Sequence, residues 1–142
     1  MNEVPRIYKW IQAALLADVP LRAIIGTAGV YADRIPAKAA FPLALFNFQS
    51  PGGDVAGNGP VRLMARPEFQ VKMVGKGPLS QKLQDGSDRI DEILQNVAAV
   101  TFDGIVISAR RLSPVAYAEG GADADQQYFH LGGIYRFDAY KA

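Results

Sequence analysis

Cysteine is absent from the 142 residues, which excludes a disulfide framework, a thiolate metal site and a cysteine nucleophile. The fold must then rest on a packed core, and a chain of this length can bury roughly 68–70% of the surface that its unfolded form exposes. Histidine occurs once, at position 130, so Ser-His-Asp catalysis and histidine-based metal sites would all rest on one side chain. An excess of either charge is also missing. Fifteen Lys and Arg stand against fourteen Asp and Glu, a formal net charge of +1, and no global field draws nucleic acid or anionic membrane. No apolar run approaches the roughly 20 residues that cross a bilayer, and the longest, Ala40 to Phe46, is interrupted by Pro42. Glu3, Arg6, Lys9 and Asp18 break up the N-terminal stretch, leaving no signal-peptide h-region. The expectation is a chain that enters no membrane and stays where it is made.

What is present has clear periodicity. Val4, Ile7, Ile11, Ala14 and Leu15 recur at helical spacing, which predicts an amphipathic helix over Val4 to Ala17 with Pro5 in its first turn. Asp18, Pro20 and Gly26 supply cap, first-turn proline and left-handed stop for a short second helix over Pro20 to Ile25. Val30 to Ile35 and Pro42 to Gln49 read as strands. In the second, Leu43, Leu45 and Asn47 point one way and Ala44, Phe46 and Phe48 the other, so both faces are apolar. Phe69, Val71 and Met73 alternate with Glu68, Gln70 and Lys72, the pattern of a strand with one buried face.

The clearest helix is expected over Pro78 to Val97. There Leu79, Leu83, Gly86, Ile90, Ile93, Leu94 and Val97 fall within an arc of roughly 100°. Gly86 in that stripe predicts a close approach to a sheet, and Asp85 and Arg89 are spaced for an i,i+4 pair. Asp103-Gly104 predicts a two-residue hairpin turn between Ala99 to Phe102 and Ile105 to Arg111. Pro114 is expected to disturb the second arm, Glu119 to Asp125 to form a loop, and Gln127 to Tyr140 to form a last strand broken at Gly132-Gly133. The elements predict a single α+β domain over residues 1–142. Its sheet is mainly antiparallel, with an N-terminal helix and a second helix packed on one face.

Residues Ser50 to Arg62 include Gly52, Gly53, Gly57 and Gly59 with Pro51 and Pro60, a composition expected to hold neither core nor ladder. A long flexible loop of this kind inside a domain is commonly functional. These four glycines, together with the basic residues Arg62, Arg66, Arg110 and Arg111, are the candidate interface residues. Other motifs are incomplete. The chain has no Gly-x-Ser-x-Gly elbow for His130 to serve. Asp123 and Asp125 begin like a calcium loop but lack its glycine and closing glutamate. Gly75-Lys76-Gly77-Pro78 precedes a helix without the phosphate-loop spacing. Asp85, Asp88, Asp91 and Glu92 spread around the polar side of a helix instead of converging. No catalytic, cofactor or metal residue is assigned.

Several stretches taken in order carry a resemblance. They are the N-terminal helix; Tyr31-Ala32-Asp33-Arg34-Ile35-Pro36; Phe41 to Phe48; Phe69-Gln70-Val71; the Leu79 to Val97 helix; and Gln127 to Phe137, read as Gln-Tyr-Phe-His-Leu-Gly-Gly-Ile-Tyr-Arg-Phe. Together they resemble the tail completion, or tail terminator, proteins of long-tailed bacteriophages. That resemblance implies a non-enzymatic virion subunit, made in the host cytoplasm, that forms a hexameric ring on the finished tail tube. The ring ends tube polymerisation and offers the head-joining surface. Its implied partners are further copies of itself, the tail tube protein and a head-tail connector or neck protein, with DNA passing through the ring and no sequence-specific nucleic-acid contact. No cofactor is implied and no catalytic residue is carried over. A head-side neck or adaptor protein and a small-ligand-binding or hydrolytic domain remain alternatives.

Overall fold

Helix α1 (Val4–Ala17) turns Ile7, Trp10, Ile11 and Leu15 inward and keeps Pro5 in its first turn, where a missing N–H costs nothing. The computed structural model describes residues 2–26, 29–59, 61–121, 123 and 126–142. Helix α2 (Val19–Ile25) is capped by Asp18, whose carboxylate accepts a hydrogen bond from the Leu21 amide at 2.9 Å. Helix α3 (Gln81–Leu94) is capped by the Ser80 hydroxyl and buries Leu83, Gly86, Ile90 and Leu94. It is shorter than the Pro78 to Val97 span read from the apolar stripe. Leu79 precedes the cap and is exposed, and Val97 already belongs to a strand.

The strands are β1 (Val30–Ala32), β2 (Leu43–Ser50), β3 (Val55–Ala56), β4 (Arg62–Met64), β5 (Glu68–Lys76), β6 (Val97–Phe102), β7 (Ile105–Gly120) and β8 (Gln127–Lys141). Six of them form a sheet in the order β1-β2-β5-β8-β7-β6, and β3 with β4 makes a separate two-stranded ribbon. Only β1 and β2 pair in parallel within the large sheet. The fold is α+β with a mainly antiparallel sheet. Residues opposite one another share a face, so the register sorts the side chains into two sets. Phe46, Phe69, Val71, Met73, Tyr135, Phe137, Ile105 and Ile107 face the helices and join one buried core with them. Rings tie the layers together: Tyr8 of α1 meets Phe69 edge-on at 5.0 Å and Trp10 meets Phe137 at 6.0 Å.

Both turn residues of the β6-β7 hairpin adopt positive φ, 46° at Asp103 and 79° at Gly104, as the Asp-Gly pair requires. Four expectations need correction. Residues 50–62 hold a ladder, because β2 runs to Ser50 and Val55-Ala56 pairs with Arg62 to Met64. Pro60 of this segment lies outside the described residues. Pro114 does not interrupt β7, which continues to Gly120. Pairing with β6 covers β7 only from Ile105 to Ala109, so beyond that point β7 is an edge strand on which a missing N–H breaks no ladder. Gly132-Gly133 does not break β8. A side chain at Gly132 would stand 2.3 Å from the Val71 carbonyl oxygen and 2.4 Å from the Lys72 Cα, so the glycine admits the β5 backbone at close range. Finally, Arg89 pairs with Asp18 and Glu92 instead of Asp85, whose carboxylate accepts from Gln81 at 2.8 Å.

Candidate interface surface

The face of the sheet turned away from the helices is built from the other parity of the same strands. Glu68, Gln70, Lys72, Val74 and Lys76 of β5 stand opposite Arg136, Ile134, Gly132, His130 and Tyr128 of β8. On the far side of β8, Arg110, Ser113, Val115, Tyr117 and Glu119 of β7 complete the rows. Arg110 is exposed and faces Arg136 directly across the ladder. Two guanidinium groups side by side repel, and Asp138 offsets this by accepting from Arg66 Nε at 3.3 Å and from Arg136 Nη2 at 3.4 Å.

Further along, Lys72 is 5% exposed and donates to the Tyr117 hydroxyl at 2.7 Å. Tyr117 in turn stacks on His130 with ring centroids 4.4 Å apart. His130 is also 5% exposed, and neither ring nitrogen has a hydrogen-bond partner. Burial, reinforced by the nearby Lys72 charge, holds its pKa below the usual 6.5, although the Glu119 carboxylate 3.7 Å away pulls upward. The imidazole is therefore neutral at pH 7. A pocket of about 240 Å³ opens beside it, between the segment holding Ile35 and Phe41 and the side chains of Lys76, Glu119 and Tyr128.

The predicted interface residues do not converge. Arg66 and Arg110 lie on this open face. Arg111 has the opposite parity and stands on the helix side, with Nε 3.8 Å from Asp91 of α3. Asp91 also accepts from the buried Tyr135 hydroxyl at 2.9 Å, and burial, together with that carboxylate, raises the phenol pKa. Arg62 is held by Glu3 at 2.8 Å, with Asp54 at 3.8 Å, which fastens the β3-β4 ribbon to the start of α1. Gly52, Gly53 and Gly59 shape that ribbon with positive φ, and Gly57 packs on Leu63. Gly52 lies so close to the Arg66 carbonyl that a side chain there would meet it at 1.8 Å. Gly52, Gly53 and Gly59 thus answer to backbone conformation. Sequence reasoning missed Lys72, Tyr117 and Arg136, which only the strand register assembles.

Among the described residues no group of three His, Asp or Glu side chains could hold a metal ion; Asp125 of the incomplete calcium pattern lies outside them. No described helix is long and apolar enough to cross a membrane. The arrangement offers charged and aromatic groups for surface contact.

No protein-family model matches the chain, and no match is found among curated proteins. Solved structures do match. A chain of the virion of a native gene transfer agent particle aligns with a TM-score of 0.64 at 18% identity, covering 92% of this chain and 91% of that one. A second solved structure aligns with a TM-score of 0.55 at 13% identity, covering 97% of this chain and 90% of that one. At these identities the likeness establishes a shared fold that spans nearly the whole of each chain.

Proposed function

We propose that this protein is a virion structural subunit, without catalytic turnover, that caps a phage-type tail tube as a ring and thereby ends tube growth and presents the surface that joins the head. The observation that carries the reading is the end-to-end likeness to a gene transfer agent virion chain, which agrees with the order of sequence stretches shared with tail completion proteins. The split of the sheet into a helix-covered face and a polar, aromatic open face suits a subunit that must meet different neighbours on different sides. Its partners in this reading are copies of itself, a tail tube protein and a head-tail connector or neck protein.

Deleting the gene from the particle-forming genome and imaging the products tests the proposal. Overlong tails without heads are expected. Tails of normal length on filled heads would overturn the capping role. Tails of normal length left unattached would point instead to a head-side adaptor.

A further inference from the structure

Asparagine occurs four times, at positions 2, 47, 58 and 96, and only Asn58 is followed by glycine. The Asn58-Gly59 pair lies in the connection between β3 and β4, and both residues are exposed. The turn around them is closed by the Gly57 amide, which donates to the Val61 carbonyl at 3.0 Å. Gly59 has a φ of 84°, and apart from its chain neighbours no described atom lies within 4 Å of where a Cβ would stand. Among the described residues neither the Gly59 amide nor the Asn58 side chain has a hydrogen-bond partner.

These features bear on the chemical lability of asparagine. Its side-chain carbon can be attacked by the backbone nitrogen of the next residue, and two things slow that attack: a side chain on the next residue, and a hydrogen bond that holds its amide. Gly59 has no side chain, and its amide is free to turn inward. The other asparagines are restrained. Asn2 accepts from the Val4 amide at 3.1 Å. Asn47 donates to the Phe48 carbonyl at 3.2 Å, while the Phe48 amide is taken by the Tyr8 hydroxyl at 3.0 Å. Asn96 precedes Val97, whose branched Cβ crowds the approach.

We propose that Asn58-Gly59 is a self-modification site, at which the Asn58 amide is lost and a new carboxylate appears at the tip of the β3-β4 ribbon. The Gly59 nitrogen gives its proton to hydroxide and attacks Asn58 Cγ. The N–Cγ bond forms, the Cγ–Nδ2 bond breaks, and Nδ2 takes a proton from solvent and leaves as ammonia. Water then opens the cyclic imide. Opening at Cγ gives aspartate on an unaltered main chain, and opening at the main-chain carbonyl gives isoaspartate, whose main chain runs through Cβ and Cγ. One water is consumed and one ammonia released, with no change of oxidation state. Either product places a negative charge on a ribbon that exposes Val61 and Leu63. Isoaspartate also lengthens the turn that Gly57 and Val61 close. The inference goes beyond the capping role and does not depend on it.

The test ages the full-length protein at mildly alkaline pH, folded in buffer and unfolded in denaturant. Peptide mass spectrometry follows each asparagine, and enzymatic carboxyl methylation counts isoaspartate. In the folded protein Asn58 is expected to convert at a rate within several-fold of that in the unfolded chain, with isoaspartate the larger product, while Asn2, Asn47 and Asn96 persist. Ion exchange should show a growing species more acidic by one charge. Gly59→Ala should slow the conversion several-fold. Asn58→Gln, which would need a larger ring to react, should abolish the acidic species and leave the melting temperature unchanged. An Asn58 that survives in the folded protein, whether or not the unfolded chain converts, overturns the proposal. So does equal conversion at another asparagine, or a rate indifferent to Gly59→Ala.

Discussion

Arg89 of α3 grips Asp18 through two parallel hydrogen bonds, Nε to Oδ2 and Nη2 to Oδ1, both 2.8 Å long. The same carboxylate caps α2 by accepting from the Leu21 amide, so one side chain starts one helix and locks it to another. The third arm of the guanidinium reaches Glu92.

Asp18→Asn keeps an acceptor for the cap and loses the ion pair, whereas Asp18→Ala loses both. The alanine variant is expected to be the less stable of the two by about 1 kcal/mol, the usual worth of an N-cap. The Arg89 guanidinium holds the Asp18 carboxyl below its usual 3.8. Its contribution is therefore complete above that value and is lost as the pH falls through the lower, folded-state value. Denaturant titrations at pH 7 and near pH 2 should show wild type and Asp18→Asn converging in acid. An unchanged gap at both pH values would count against the pairing.

Gly86 packs on the side chain of buried Met73, where an added Cβ would stand 2.7 Å from Cε and 2.8 Å from Sδ. The end of a methionine can move, so Gly86→Ala should be near neutral, the better helix propensity of about 1 kcal/mol offsetting the crowding. Gly86→Leu is expected to destabilise by about 1–3 kcal/mol through overpacking. Met73→Ala should recover part of that loss. A raised melting temperature in Gly86→Leu would contradict the contact.

Gly132 is a harder case because what it faces is backbone. Gly132→Ala would drive its methyl into the Val71 carbonyl and the Lys72 Cα, so β5 and β8 must separate locally. A loss at or above the upper end of the 1–3 kcal/mol range for overpacking is expected, larger than for any alanine on the exposed face of α3. Thermal denaturation of the two classes of variant compares them directly.

His130 is buried with its pKa held below the usual 6.5. Above about pH 6.5 the folded and unfolded forms are both neutral and no stability depends on the group. As the pH falls below that value the unfolded chain takes up a proton that the folded one resists, and stability declines by up to about 1.4 kcal/mol per pH unit until the folded-state value is reached. His130→Phe keeps a ring to stack on Tyr117 and should lack this component between pH 6.5 and 5. An identical slope in both proteins would rule the assignment out.

Local signals were legible wherever they matched the final environment. The stripe from Ile7 to Leu15 and the Asp103-Gly104 turn gave α1 and the hairpin at their observed places, and the two-sided apolar run Leu43 to Phe46 is buried on both faces as its pattern implies. What stayed hidden depends on register. Pro114 looks like a breaker until the pairing of β7 with β6 is seen to stop at Ala109, and Gly132 looks like a break until β5 is seen pressed against it. Asp18 and Arg89 are 71 positions apart, so local spacing favoured Asp85 instead. The four candidate arginines could be named but not sorted, because adjacent Arg110 and Arg111 fall on opposite faces of one strand. Lys72 carried no signal, since its burial against Tyr117 depends on the strand register.

The sheet order puts the last strand inside, with β8 between β5 and β7. Until residues Gln127 to Lys141 have been made, β5 and β7 have no neighbour on that side and the rings of Tyr135 and Phe137 are missing from the core. A chain emerging from the ribosome could then form its helices and hairpins early but not close its sheet. Closure of the sheet and of its core is therefore deferred until β8 itself has been made.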